Sequence, residues 1–281
     1  MSHLPLAARQ SELVSAYLEW GYCPDCRVID LHGHYGPWPG IYLPNASEDA
    51  MLASMDRCGI ETLVSSGHLA LADMALGNPE MAAVARRHPG RWYAYLVCNP
   101  RYPDEMRAQL DGYEAEPAFV GLKLHPTMHD YPLDGPAYAS VYEFAAARHG
   151  LILTHAWGHS DVCGPRQLRA VAERYPEITF LAGHSFHGEF EAGLEVARAC
   201  PNVLLELTAA YSVRGVVELL VERAGADRIV YGCDLPWFDP HYALGCVLMA
   251  HISDDDRRAI LRANALRVLG EQLAKKGREK R

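Results

Sequence analysis

The chain has 281 residues, 49% of them hydrophobic and 22% charged, with a formal net charge of −9. That composition is ordinary for a packed globular protein, and the acidic balance, with Lys and Arg scattered except at the last residues, removes the basic field that a nucleic-acid partner needs. No apolar run approaches the ~20 residues of a membrane span, and the first residues carry neither the charged region nor the apolar core of a signal peptide, so a cytoplasmic location is expected.

Residues 1–26 are expected to add a helical extension, amphipathic through Leu13, Val14, Tyr17 and Leu18. They include Cys23-Pro-Asp-Cys26, the one close pair among eight cysteines. A structural zinc site wants a second such pair, and a thioredoxin-like motif sits between a strand and a helix, whereas this pair precedes the first strand. Reduced thiols are expected throughout.

From Arg27 onward short β-branched runs alternate with longer stretches of helical period, the pattern of βα units around a parallel sheet. Strands are predicted at 28–32, 62–66, 92–97, 119–125, 151–155, 178–184, 203–208 and 229–234. Between them helices are predicted at 50–58, behind a capping box from Asn45 to Glu48, and at 79–88, 104–114, 136–149, 165–175, 189–200 and 213–224. A closing helix is expected over 253–269, and a charged tail over 271–281, frayed from Lys275. Eight strands with intervening helices fit a single-domain (β/α)8 TIM barrel over 27–270. The rival, an open doubly wound sheet, usually opens on a GxGxxG turn, which His32-Gly-His-Tyr-Gly is not.

In such a barrel the functional groups come from the C-terminal ends of the strands. Here those ends are polar: His32 and His34 on the first, Lys123 and His125 on the fourth, His155 on the fifth, His184 on the sixth and Asp234 on the eighth. Residues i and i+2 of a strand share a face, so His32 and His34 aim at one point, and imidazole with carboxylate suits Zn²⁺ or a related divalent ion. An isolated HxH triplet is more often a pair of hydrogen-bonded core histidines; agreement among five strand ends carries the metal reading.

Taken in order, "VIDLHGH", "GLKLHP", "LTHAWGH", "LAGHSF" and "IVYGCDLPW", with "ILRANALRVLG" as the closing helix, resemble the amidohydrolase superfamily and in particular its amidohydrolase-related branch. The resemblance implies that His32, His34, His155 and Asp234 bind a divalent metal, one Zn being expected, with Mn or another divalent ion as the alternative. It places His184 beside them as a polarising or proton-transferring group. Lys123 is either a cation near the substrate or, in a binuclear centre, a carbamylated bridge, with His184 then a ligand too.

These groups suit hydrolysis of a small amide, ester or lactone: Asp234 accepts a proton from an activated water, and His184 polarises the bond or protonates the leaving group. The alternatives are a non-oxidative decarboxylase of a small aromatic or unsaturated acid and a non-catalytic metal-binding barrel. Tyr35, Trp38, Trp157, Trp237 and Phe238 are expected to wall the pocket, and His125, His159, His187 and Arg214 to orient anionic or hydroxyl groups. Glu206, on the seventh strand, needs a partner if it points inward. The expected partner is a small-molecule substrate, with a homodimer left open.

Overall fold

A computed structural model describes residues 11–276. The β-branched runs form eight strands: β1 Val28–Tyr35, β2 Ile60–Gly67, β3 Trp92–Val97, β4 Phe119–Leu124, β5 Leu151–Trp157, β6 Thr179–His187, β7 Val203–Glu206 and β8 Ile229–Val230. They pair in parallel in chain order, β1 to β8. Backbone bonds complete the ring between β8 and β1: Leu31 N donates to Tyr231 O at 3.1 Å, Asp234 N to His32 O at 2.8 Å and His34 N to Leu235 O at 2.7 Å. The result is a nearly closed TIM barrel. No helix among the described residues is long and apolar enough to cross a membrane.

The barrel interior is packed rather than hollow. Ile29, Leu31, Val64, Tyr95, Val120, Leu153, Leu181, Leu204 and Val230 form its filling, and Ala265, Val268 and Leu269 of the helix Asn264–Lys275 join the same cluster. That filling takes the period-2 inward positions of the strands, while the outward positions pack on the surrounding helices. Only the C-terminal end of the ring is left for chemistry.

Several helix boundaries differ from the sequence expectation. The first helix after β1 is Glu48–Cys58, capped by Ser47, whose side chain accepts from Ala50 N, and not by an Asn45 box. The helix expected at 79–88 is Met74–Arg87: Asp73 caps it, and Pro79 lies inside it instead of opening it. An additional short helix, His68–Ala72, follows β2 directly. The expected helices at 136–149 and 213–224 each resolve into a short 3₁₀ turn and a shorter α-helix, Ala139–Ala146 and Val216–Ala224. Pro240–Leu248, capped by Asp239, is a helix the periodicity did not bring out. The closing segment runs through Asp254–Arg258 and a π-helical stretch, Ala259–Ala263, into Asn264–Lys275, and residues 277–281 of the expected tail lie outside the described residues.

Of the expected N-terminal extension, Glu12–Trp20 is helical, capped by Ser11, and it buries Leu13 and Val14; residues 1–10 lie outside the described residues. All eight cysteines are free. Cys23 and Cys26 are buried in a turn closed by Cys26 N donating to Cys23 O at 3.1 Å. Burial pushes both thiols up, Cys23 to about 12, which leaves them protonated core residues.

Candidate active site

The site starts from Glu206, whose carboxylate points into the ring and is fully buried. His32 Nδ1 lies 2.7 Å from Glu206 Oε2, and the backbone N–H groups of Thr208 and His184 donate to the same carboxylate at 2.7 and 3.2 Å. Burial pushes this carboxyl up, but the attraction of His32 and the hydrogen bonds from His32 and Thr208 outweigh it and hold it below its ordinary value. An ionised Glu206 accepts, so His32 carries its proton on Nδ1 and presents Nε2 as a lone pair. The approach is close enough that a Cβ on Gly232 would stand 2.2 Å from Glu206 Oε1 and 2.6 Å from His32 Cβ, so only glycine fits there.

His34, two residues along β1, turns to the same side. Its Nδ1 lies 3.1 Å from Ser66 Oγ, which leaves Nε2 facing Asp234 Oδ1 at 3.4 Å; His32 Nε2 is 3.7 Å from the same oxygen. Asp234 is fixed beside them by the ring-closing bond to His32 O and by a left-handed backbone, φ 63°. Holding an aspartate there is strained, and such strain clusters at functional sites. Beneath them Asp30 Oδ1 accepts from His32 N at 2.9 Å and Cys233 N at 3.3 Å.

The donor atoms of His32, His34 and Asp234 all lie within 4.8 Å of one another. Asp234 Oδ1 is buried and has no hydrogen-bond partner among the described residues. Two imidazole nitrogens and one orphaned carboxylate oxygen are a donor set that fits a divalent ion. Lys123 Nζ lies 3.0 Å from His32 Nε2, and burial lowers this ammonium to about 8 against the opposing pull of Asp234 and Glu206. Burial first, and the neighbouring Lys123 and imidazoles after it, also lowers His34, His125, His155 and His184, so these rings are neutral.

His184 and His155 complete the floor. Three consecutive residues at the end of β6, His184, Ser185 and Phe186, have positive φ. This turn brings the His184 ring to 5.2 Å from His32 and 4.5 Å from His155, with Nδ1 buried and without a partner among the described residues. His155 lies flat between His125 and Trp157, at ring distances of 4.4 and 5.6 Å. It stands outside the tight group of three donors, one ring further across the floor.

Above this floor lies a cavity of about 330 Å³ lined by His34, Trp38, His68, Leu71, His125, Met128, His155, Trp157, His184, Ala209, Asp234, Trp237 and Phe238. Trp38, Trp157, Trp237 and Phe238 therefore wall it as expected, and His125 does too. His159 and Arg214 do not reach it: both are exposed, His159 facing Glu189 at 3.7 Å and Arg214 on the loop before Val216–Ala224. Tyr35 packs on Trp92, and His187 stacks on the outer face of Trp157. No Lys or Arg among the described residues lines the cavity. Sequence reasoning missed His68, which opens the helix after β2 and stacks on His34 at 4.9 Å and 3°. Its position directly after a strand was a usable signal, hidden because Ser65-Ser66-Gly67 carries no charged or metal-binding side chain.

The profile of the amidohydrolase family matches residues 29–270. No curated protein matches the sequence. Among solved structures, an uncharacterised TIM-barrel protein from Bordetella bronchiseptica superposes with a TM-score of 0.74 at 20% identity, over 87% of this chain and 99% of that one. The 2,6-dihydroxybenzoate decarboxylase from Rhizobium gives 0.69 at 17%, over 86% and 98%. A dihydroxybenzoic acid decarboxylase from Polaromonas sp. JS666, solved with manganese and the inhibitor 2-nitroresorcinol, gives 0.68 at 16%, over 86% and 96%. At these identities the likeness is one of fold.

Proposed function

The chain belongs to the amidohydrolase family, and from that membership we propose that it is a metal-dependent enzyme releasing CO₂ from a small planar carboxylic acid. His32, His34 and Asp234 would hold one divalent ion, and His155, one ring further across the floor, would be the fourth ligand that the sequence resemblance implies; zinc and manganese both suit such donors. When bound, the ion polarises substrate oxygens as a Lewis acid.

The observation that carries the reading is where the positive charge lies. The cavity walls are aromatic and apolar, His159 and Arg214 are turned away, and the Lys nearest the floor is Lys123, buried against His32. A substrate carboxylate therefore finds its charge partner only at the floor, where it is the reacting group and not a remote anchor. The Trp38, Trp157 and Trp237 rings hold a flat ring above it and exclude water. Asp234 and Lys123 orient the oxygens. The ring carbon takes, with the electron pair left when the carbon–carbon bond breaks, a proton relayed from solvent through the neutral His184 ring, one nitrogen gaining a proton as the other gives one up; its Nδ1 is buried and without a partner among the described residues. The decarboxylases among the solved neighbours support this substrate class.

Hydrolysis, which the sequence resemblance favoured, is kept as a second reading on one observation: Asp234 Oδ1 is an unpartnered acceptor in a cavity-lining side chain, able to take a proton from water. Incubation of the metal-loaded protein with hydroxybenzoic acids, aromatic esters and lactones in D₂O, and separately in H₂¹⁸O, separates the two. Release of CO₂ with deuterium on the ring carbon supports decarboxylation; ¹⁸O in a product acid overturns it in favour of hydrolysis.

A further inference from the structure

A second cavity of about 430 Å³ lies against the first, lined by Tyr35, Gly36, Pro37, Trp38, Pro39, His68, Leu69, Ala72 and Glu80. The two share Trp38 and His68 as a common wall. The halves of that wall are held very differently. His68 is fixed on every side: its Nδ1–H donates to Gly36 O at 2.6 Å, its Nε2 accepts from Trp237 Nε1–H at 2.8 Å, and its face stacks on His34. Trp38 is half-buried and sits between two prolines on a loop closed by one bridge to Ile41. It packs on the buried Ala70, Leu71 and Val97 and meets His68 and Trp237 through ring contacts at 5.4 and 6.2 Å, with no hydrogen bond to its indole among the described residues.

We propose that this second cavity is a substrate subsite, joined to the catalytic cavity when the Trp38 side chain swings aside, and that it takes an uncharged apolar substituent, alkyl or aryl, on a monocarboxylic acid. The proposal rests on the reading above, in which the carboxylate lies at the floor. The cavity walls select the class. Tyr35, Pro37, Pro39 and Leu69 offer apolar surface and no cation, and the Glu80 carboxylate in the same lining repels a second acid group. Compact hydroxy acids leave this space unfilled; diacids are rejected by it. Continuity with the catalytic cavity identifies the occupant, because any group reaching the second cavity past Trp38 is already tethered to a ring held over His34 and Asp234.

Calorimetric titration of the metal-loaded protein with benzoate, 3-phenylbenzoate, 4-phenylbenzoate and terephthalate tests this. A phenylbenzoate is expected to bind at least about tenfold more tightly than benzoate, because a phenyl ring leaves water for an apolar wall. Terephthalate is expected to bind no better than benzoate. Trp38→Ala should raise the ratio of phenylbenzoate to benzoate affinity, and Leu69→Asp should collapse it. A protein that binds benzoate but gains nothing from the phenyl ring, in the wild type and in Trp38→Ala, overturns the second cavity alone, as does a ratio that Leu69→Asp leaves unchanged. A protein that binds none of these acids overturns the reading of the floor, and the subsite falls with it.

Discussion

His32 and Glu206 form a fully buried pair, Nδ1 to Oε2 at 2.7 Å, and this one contact sets which nitrogen of His32 faces the floor. Glu206→Ala leaves the His32 N–H and the Thr208 and His184 backbone donors without their acceptor. Metal affinity should fall about 10–100-fold, as it does when the partner of a ligating histidine is lost. Folding stability should fall by about 3 kcal/mol, the scale for breaking a buried pair. Glu206→Gln keeps an acceptor oxygen and should lose less of both. Metal titration and thermal denaturation of the two variants check the order.

His184 is the proposed proton relay and not a required ligand. His184→Asn should keep the ion and lose turnover by about 10²–10⁴-fold, the usual weight of a positioned acid or base. Metal analysis beside a rate measurement reads both. Loss of the metal together with activity would contradict the single-ion site and support a binuclear centre bridged by a carbamylated Lys123.

Arg257 tests the frame far from the chemistry. Its side chain is 1% exposed, donates to Leu248 O at 3.0 Å and Ala250 O at 2.8 Å, and pairs with Asp254 at 2.8 Å. Arg257→Met would strand two buried carbonyls. A loss of about 3 kcal/mol is expected from denaturant unfolding, with the phenylbenzoate ratio unaltered.

Acid should loosen the contact between the helices Glu48–Cys58 and Met74–Arg87. Hydrogen bonds from Arg87 and His88 outweigh partial burial and hold the Glu48 carboxyl down at about 2, against 4.5 ordinarily. A carboxyl depressed in the folded state stabilises fully above its unfolded value and loses that contribution as pH falls through the folded one. The stability difference between wild type and Glu48→Gln should therefore be constant above about pH 5 and shrink between about 4.5 and about 2. Melting curves across that range measure it.

The barrel was legible because strands buried on both faces read as continuous β-branched runs, and all eight strands overlap those runs, although β7 and β8 end at Glu206 and Val230, short of the predicted 208 and 234. The floor was legible in part for a related reason: period-2 alternation puts His32 and His34 on one face. The register shift of β1 between Asp30 and Gly33, beyond which that face is the inward one although Ile29 and Leu31 point inward before it, has no signal in the residue pattern. Loop side chains lack such a rule. His159 lies two residues beyond Trp157, the last residue of β5, and Arg214 follows β7 as Ala209 does, yet His159 has a left-handed φ of 56°, Arg214 lies past the 3₁₀ turn Ala210–Ser212, and both face solvent. The helix expected from Pro79 starts at Met74 because Asp73 accepts from Leu76 N and caps it there. Glu206 was flagged only conditionally, since its need for a partner is visible in the sequence and the identity of that partner, 174 residues away, is not.

The proposed single-ion site is tested most directly by counting metal in purified, metal-loaded protein, wild type against the double variant His32→Ala, His34→Ala. About one divalent ion per chain is expected in the wild type, falling below about a tenth in the variant, because two of the four proposed ligands are gone. Full occupancy in a folded double variant would contradict the site.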